Sequence, residues 1–453
     1  MSGLDIAARA LAAASGDEAE AVVTVERFGF ARFAGSEVHQ PTLVDNVVVT
    51  LRVARDGKVG TAATNRVSEE GLSELGRRAA DAADSAVAEP SWPGFAGAAS
   101  YPEVEGHDPE TAALGPEEQA RLAAAAIDAA GNLPVYGFFT SGETEIAVAT
   151  TRGAAAAQAM TDATALVLAA DEGVSGYAEA TAWRAGDIEP AAVTREACEK
   201  AVRTRDAGAV EPGRFRAVLE PYAVADLLKY FAYDSFGALG LLEGRSYLTG
   251  RIGERIVDER VTIVDDALDP RGLPKAFDFE GAPKRRVPLI EHGLAKGVVW
   301  DRERAAQAGD GRETTGHAPP PLVRDYGALP FALAMSGGEA ESSQELAELV
   351  GDGIYVTRLH YLGIVHPREG VITGMTRDGT FRIRDGTVAE PLVNLRFTVS
   401  FPEVLRELYG LTRAVTLVNS SDFYGERFPC GALVPALATA SFTISGVGSQ
   451  PGI

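Results

Sequence analysis

The stretch DAGAVEPGRFRAVLEPYAVADLLKYFAYDSF, residues 206–236, divides the chain and sets its fold class. Its first eight residues are mostly small and end in Pro212 and Gly213, a composition that favours a connection over a helix or strand. Arg214 to Leu219 then form a short β-prone run. Pro221 opens a helix to about Phe236, since a first-turn proline lacks only an N–H that would have no partner there. The division falls at 207/208, giving an N-terminal domain of residues 1–207 and a C-terminal domain of residues 208–453.

Upstream of this stretch, Leu4, Ile6, Ala7 and Leu11 recur at helical spacing. The period then changes to β-branched and aromatic runs at 21–25, 29–33 and 46–53, and Arg55-Asp56-Gly57-Lys58 supplies a hairpin turn before 59–64. Ser68 followed by Glu69 and Glu70 predicts an N-cap and an acidic first turn for a helix to about Val87. Residues 88–115 are rich in Pro and Gly and read as an extended connection, and Pro116 to Gly131 bound another helix. Hairpin turns are expected at Ser141–Glu143 and Asp171–Gly173, then a helix with Val193, Ala197, Cys198, Ala201 and Val202 on one face.

Downstream, turn signals at 265–266, 269–272, 377–379 and 384–386 separate short strands, a spacing typical of sandwich- or barrel-like β structure. Residues 342–350 and 402–409 predict short helices. The fold class is therefore α+β, an N-terminal α/β domain followed by a β-rich C-terminal domain.

Composition narrows the function. The 453 residues carry 42 Lys and Arg against 64 Asp and Glu, a net charge of −22. Such a surface repels phosphate backbones and anionic lipid, so neither nucleic acid nor membrane is an expected partner. Two cysteines are too few for a disulfide framework, no apolar run reaches membrane-spanning length, and the first residues lack a basic leader; a cytoplasmic protein is expected. Neither H-E-x-x-H, C-x-x-C, a P-loop nor a G-x-S-x-G elbow occurs. His360 and His366 lie six apart in a strand-like stretch, where even spacing would put both on one face and make a metal pair conceivable. Two half-exposed polar side chains are the simpler reading. Cys430 reads as a buried inert thiol and Cys198 as a core residue, and His317 sits in the loop Thr314-Thr315-Gly316-His317-Ala318.

The strings themselves carry more. Ser246-Tyr247-Leu248-Thr249-Gly250-Arg251-Ile252-Gly253-Glu254, Asp265-Asp266, Phe277-Asp278-Phe279-Glu280-Gly281, Pro288-Leu289-Ile290-Glu291-His292-Gly293, Thr314 to Ala318, Thr373 to Gly379 and Asp385 to Pro391 occur in one order. Together with Asp17 to Glu20, Gly57 to Ala62 and Ser175-Gly176-Tyr177, they resemble the TldD/PmbA family over roughly residues 17–446. Its zinc-bearing TldD-type members carry H-E-x-x-x-H after a strand ending in Pro. Here that position reads Lys229-Tyr230-Phe231-Ala232-Tyr233-Asp234, so Lys229, Tyr230 and Asp234 replace the first histidine, the glutamate and the second histidine.

The resemblance thus implies a TldE-like subunit, with no catalytic or metal-binding residue of its own. It implies a heterodimer with a TldD-type partner that carries zinc, acting on an unfolded peptide or a small amide by proteolysis, peptide maturation or N-deacetylation. Lys229 and Tyr230, with His317, would line the shared cavity as substrate contacts. Two other readings stay open: a homodimeric binding or scaffold protein, and an independent metal-free amidohydrolase using His317, His360, His366 or Cys430.

Overall fold

The computed structural model describes residues 1–421 and 427–452. Helix α1 (Gly3–Ala12) starts at a capping box, with Ser2 Oγ accepting from Asp5 N and the Asp5 carboxylate accepting from Ser2 N. It packs on a sheet of β1 (Glu18–Ala34), β2 (Glu37–Arg55), β3 (Lys58–Thr64), β4 (Val135–Thr150), β5 (Ala155–Asp171) and β6 (Val174–Ala182). The strand order is β3-β2-β1-β4-β5-β6 and every neighbouring pair is antiparallel. Two three-stranded meanders therefore join through β1 and β4.

Each meander is followed by a covering helix, α2 (Glu69–Ser85) after β3 and, beyond the short α3 (Pro109–Ala112) and α4 (Pro116–Asp128), α5 (Pro190–Arg203) after β6. The two halves use the same device for close approach. A Cβ on Gly60 of β3 would stand 2.1 Å from Ala83 N, and one on Gly176 of β6 would stand 2.2 Å from the Ala197 carbonyl oxygen. Only glycine lets each helix backbone touch its strand. Side chains alternate across the sheet: Ala21, Val23 and Val25 meet α1 and α2, whereas Val22, Ile146 and Met160 meet Phe277 and Phe279 of the C-terminal domain.

After the linker, whose Gly208 exchanges backbone hydrogen bonds with Pro391 and Val393, comes β7 (Gly213–Leu219), then α6 (Pro221–Ser235) and α7 (Ala238–Leu242). One sheet contains β8 (Ile263–Asp265), β9 (Val287–Glu291), β10 (Leu294–Ala295), β11 (Leu333–Met335), β17 (Thr416–Asn419) and β18 (Gly431–Val434). Helix α8 (Arg302–Ala308) and α9 (Ser343–Val350) lie between its strands in sequence. The other sheet contains β7, β12 (Gly353–His366), β13 (Val371–Arg384), β14 (Thr387–Leu392), β15 (Leu395–Ser400), β16 (Leu408–Leu411) and β19 (Leu437–Val447), with α10 (Phe401–Arg406) after β15. Among the described residues β12-β7-β19-β15-β13 close on themselves through β13–β12 pairing, a small barrel flanked by β14 and β16. Closure removes free edges from that ring.

Three expected elements differ. Ser141–Glu143 lies inside β4, opposite Arg27–Gly29 of β1, and the turn is at 151–154. Ser141 receives Gln119 of α4, whose Nε2 donates to Ser141 Oγ at 3.0 Å, and Gly142 is small because a Cβ there would stand 2.3 Å from the Phe28 Cβ of β1. Arg377-Asp378-Gly379 lies within β13, where the positive φ of Asp378 (55°) accompanies irregular pairing with β12 rather than a chain reversal. The helix expected over 402–409 stops at Arg406, and Leu408 begins β16 because it pairs with Thr439. No helix among the described residues is long and apolar enough to cross a membrane.

Candidate functional site

Helix α6 is buried on one side and open on the other. Leu227, Leu228, Phe231 and Ala232 enter the C-terminal core, where Phe231 meets Phe236, Tyr247 and Phe401 edge-on at centroid distances of 5.2–5.6 Å. Burying each large apolar side chain stabilises the helix by about 1.5–3 kcal/mol. Tyr222, Asp226, Lys229 and Tyr230, spaced as i, i+4, i+7 and i+8, form the opposite face and one wall of a cavity of about 260 Å³. Its other walls are Tyr177 and Glu179 of β6, Arg358 to Leu362 of β12, and Val418 and Asn419 of β17. The site therefore lies where the N-terminal sheet meets the barrel.

Most of its charges are committed. Glu179 accepts from Asn419 N at 2.8 Å and from the Tyr177 hydroxyl at 2.5 Å; burial pushes both the Glu179 carboxyl and the Tyr177 phenol up. Arg358 stacks over the Tyr177 ring at 4.1 Å, and its Nε donates to Asp378 Oδ2 at 2.7 Å. The irregularity at Asp378, unread as such in the sequence, thus turns that carboxylate toward the guanidinium. Asp226 is different. Burial pushes its carboxyl up to about 7, the Arg358 guanidinium opposing and Glu179 reinforcing the shift. Its hydrogen bond is a long one from Leu359 N, 3.4 Å. Lys229 Nζ, one turn along, donates to the Ser420 carbonyl oxygen at 3.2 Å.

Lys229 also borders a smaller, mainly apolar pocket with Ala232, Tyr233, Phe331 and Cys430. Cys430 is buried, and burial pushes its thiol up while Lys275 and Lys229 work the other way. Lys275 itself is pushed down to about 8 by burial.

The structure brings Lys229 and Tyr230 together on the wall of the larger cavity and leaves His317 out of it. His317 is fully buried, its Nε2 donating to Asp265 Oδ1 at 2.7 Å; burial and Lys284 lower its pKa, against the pull of Asp265. It is not part of this cavity's wall: its loop folds inward, and Thr315 anchors it through Trp300. His360 is a cavity wall residue, whereas His366 is exposed at the end of β12. Register shifts between 360 and 363 and between 364 and 366 break the alternation on which a shared face depended.

The donors do not fit zinc. At the three motif positions stand an ammonium, a phenol and Asp234, whose carboxylate is bound by Arg245. An ammonium has no lone pair to offer, and an ion-paired carboxylate is a poor ligand. Among the described residues no group of three or more His, Cys, Asp and Glu side chains could hold a metal ion.

Sequence reading missed Asp226, Glu179, Arg358 and Asp378. The available signal was Asp226 itself, a lone acid in the otherwise apolar run Ala223 to Leu228.

Family models described as the PmbA/TldA metallopeptidase C-terminal domain, domain 1 and central domain match residues 212–446, 19–83 and 109–205. A metalloprotease of Methanothermobacter thermautotrophicus is 28% identical over 268 residues, 57% of this chain and 56% of that protein. A zinc metalloprotease TldD homolog of Saccharolobus solfataricus is 28% identical over 190 residues, 40% of each. The chain spans about half the length of these curated relatives. The crystal structure of TldE from Thermococcus kodakarensis superposes with a TM-score of 0.85 at 20% identity, covering 98% of this chain and 99% of that one. At that identity the likeness is one of fold.

Proposed function

This chain belongs to the PmbA/TldD family, and we propose that it is the zinc-free, TldE-like subunit of a heterodimeric hydrolase whose zinc is carried by a TldD-type partner. The observation that carries the reading is the state of the three motif positions. Lys229 is held by the Ser420 carbonyl, Tyr230 faces the cavity, and Asp234 is neutralised by Arg245. None of the three can stand in for a zinc ligand or its general base near neutral pH. The TldD homologs named as zinc metalloproteases and the fold shared with a TldE support the pairing.

In this role the chain supplies cavity wall and substrate contacts, chiefly Lys229, Tyr230 and Asp226, and supports the partner's fold. Substrates are unfolded peptides or small amides, and the complex is cytoplasmic. The partner's zinc, when bound there, supplies a water of lowered pKa.

The test is reconstitution. The chain is mixed or co-expressed with a TldD-type subunit, mass is read by light scattering, and hydrolysis of an unfolded polypeptide is followed. A one-to-one complex with activity absent from this chain alone is expected. Turnover by the isolated chain, lost on substituting His360, His366 or Cys430, would replace this reading with an independent amidohydrolase. A stable homodimer that adds nothing to the partner would favour a scaffold.

A further inference from the structure

Asp226 and Lys229 stand three residues apart on one face of α6, where side chains of opposite charge ordinarily reach each other. They do not pair. Lys229 Nζ is drawn to the Ser420 carbonyl at 3.2 Å, and Asp226 Oδ2 takes only the long contact from Leu359 N. Among the described residues nothing donates to Asp226 Oδ1, and Asp226 is part of the cavity wall. The neighbouring charges are satisfied: Glu179 by Asn419 N and the Tyr177 hydroxyl, Arg358 by Asp378. One free acceptor and one ammonium with donors to spare thus face a common space.

That space is walled by Tyr177, Tyr222, Tyr230, Leu359, Leu362 and Val418. Its volume of about 260 Å³ is smaller than pockets for drug-sized ligands, which run from about 300 to 1,000 Å³. We propose that this cavity binds an α-amino zwitterion, a free amino acid or dipeptide with an apolar or aromatic side chain, its ammonium on Asp226 and its carboxylate on Lys229. The inference concerns this chain alone and does not depend on the zinc-bearing partner.

Titration supports the geometry. The Asp226 carboxyl is held near 7 by burial, against Arg358 and Lys229 and with Glu179. An incoming ammonium favours its ionised form, so affinity rises between pH 6 and pH 8 while a proton is released. Nearby His360 is pushed down by desolvation and by Arg377 and Arg358, against Asp378. The phenols of Tyr177 and Tyr222 are pushed up and stay protonated.

Calorimetric titration of the full chain tests this with L-phenylalanine, L-phenylalanyl-L-alanine, N-acetyl-L-phenylalanine and L-phenylalaninamide. At least one zwitterion binds, and each blocked analogue binds about tenfold or more weakly, the loss expected for one charge-assisted contact. The tighter of the two zwitterions identifies whether amino acid or dipeptide is the ligand. Asp226→Asn abolishes the preference over the N-acetyl compound, and Lys229→Met the preference over the amide. No binding of either zwitterion at about 10 mM, or equal binding of the blocked analogues, overturns the proposal. The ligand comparison uses the unaltered protein, so a variant that fails to fold leaves the test intact.

Discussion

Arg427 ties the C-terminal domain to the N-terminal sheet, and removing it gives a prediction that can be worked from the structure. The side chain is 1% exposed. Its Nε donates to Asp162 Oδ1 at 2.9 Å, Nη2 to Asp162 Oδ2 at 2.6 Å and Nη1 to Thr140 Oγ1 at 2.9 Å, and its guanidinium lies 4.8 Å from the Phe28 ring centre. Asp162 is equally buried, on β5. In Arg427→Met the Asp162 carboxylate is left without its cation, and breaking a buried pair from one side costs about 3–5 kcal/mol. Arg427→Met with Asp162→Leu removes both members of the pair, and the loss should shrink to about 1–2 kcal/mol because neither is left buried without the other.

Urea denaturation of the single and double variants measures the coupling between the two residues. A second readout is local. Residues 427–430 lead directly to Cys430, so native-state thiol labelling in a Cys198→Ser background should accelerate in Arg427→Met and slow again in the double variant. A single-variant loss below about 1 kcal/mol, the size of an exposed pair, would refute the reasoning, as would a double variant less stable than Arg427→Met.

The folded-state pKa of Asp226 is raised from 3.8 to about 7, so the native protein holds a proton that the unfolded chain has released. The contribution of Asp226 to stability therefore falls as pH rises from about 4 to about 7, so Asp226→Asn gains relative to wild type across that window and the difference plateaus above it, checked by thermal melts of both at several pH values. Gly60→Ala and Gly176→Ala each force a helix backbone off its strand and should cost about 1–3 kcal/mol, measured by denaturation. Phe231→Ala empties the aromatic contact under α6 and should cost about 3–5 kcal/mol by the same assay. Lys229→His alone should bind no stoichiometric zinc in equilibrium dialysis, because Arg245 still holds Asp234.

Much of the fold was legible because local chemistry and tertiary structure agree. Ser68 caps α2, Pro116 and Pro221 start helices, and Arg55–Lys58 turns the chain between β2 and β3. Reading failed where small or polar residues serve packing across elements. Ser141 receives Gln119, Gly142 makes room for Phe28 of β1, and Asp378 meets Arg358 from a strand irregularity; both stretches look like turns in one dimension. The site was half legible. Lys229 and Tyr230 were found because they break a motif, whereas Glu179 and Arg358 come from strands far away in sequence and join α6 only when β6 and β12 are brought together. His317 lies in a polar loop, yet its pairing with Asp265 holds it in the core.

The most direct measurement is zinc content by plasma mass spectrometry, on this chain purified alone and on the complex formed with a TldD-type subunit. The account predicts no stoichiometric zinc in the isolated chain and about one zinc per heterodimer, one metal site per catalytic subunit. Stoichiometric zinc in the isolated chain would contradict it.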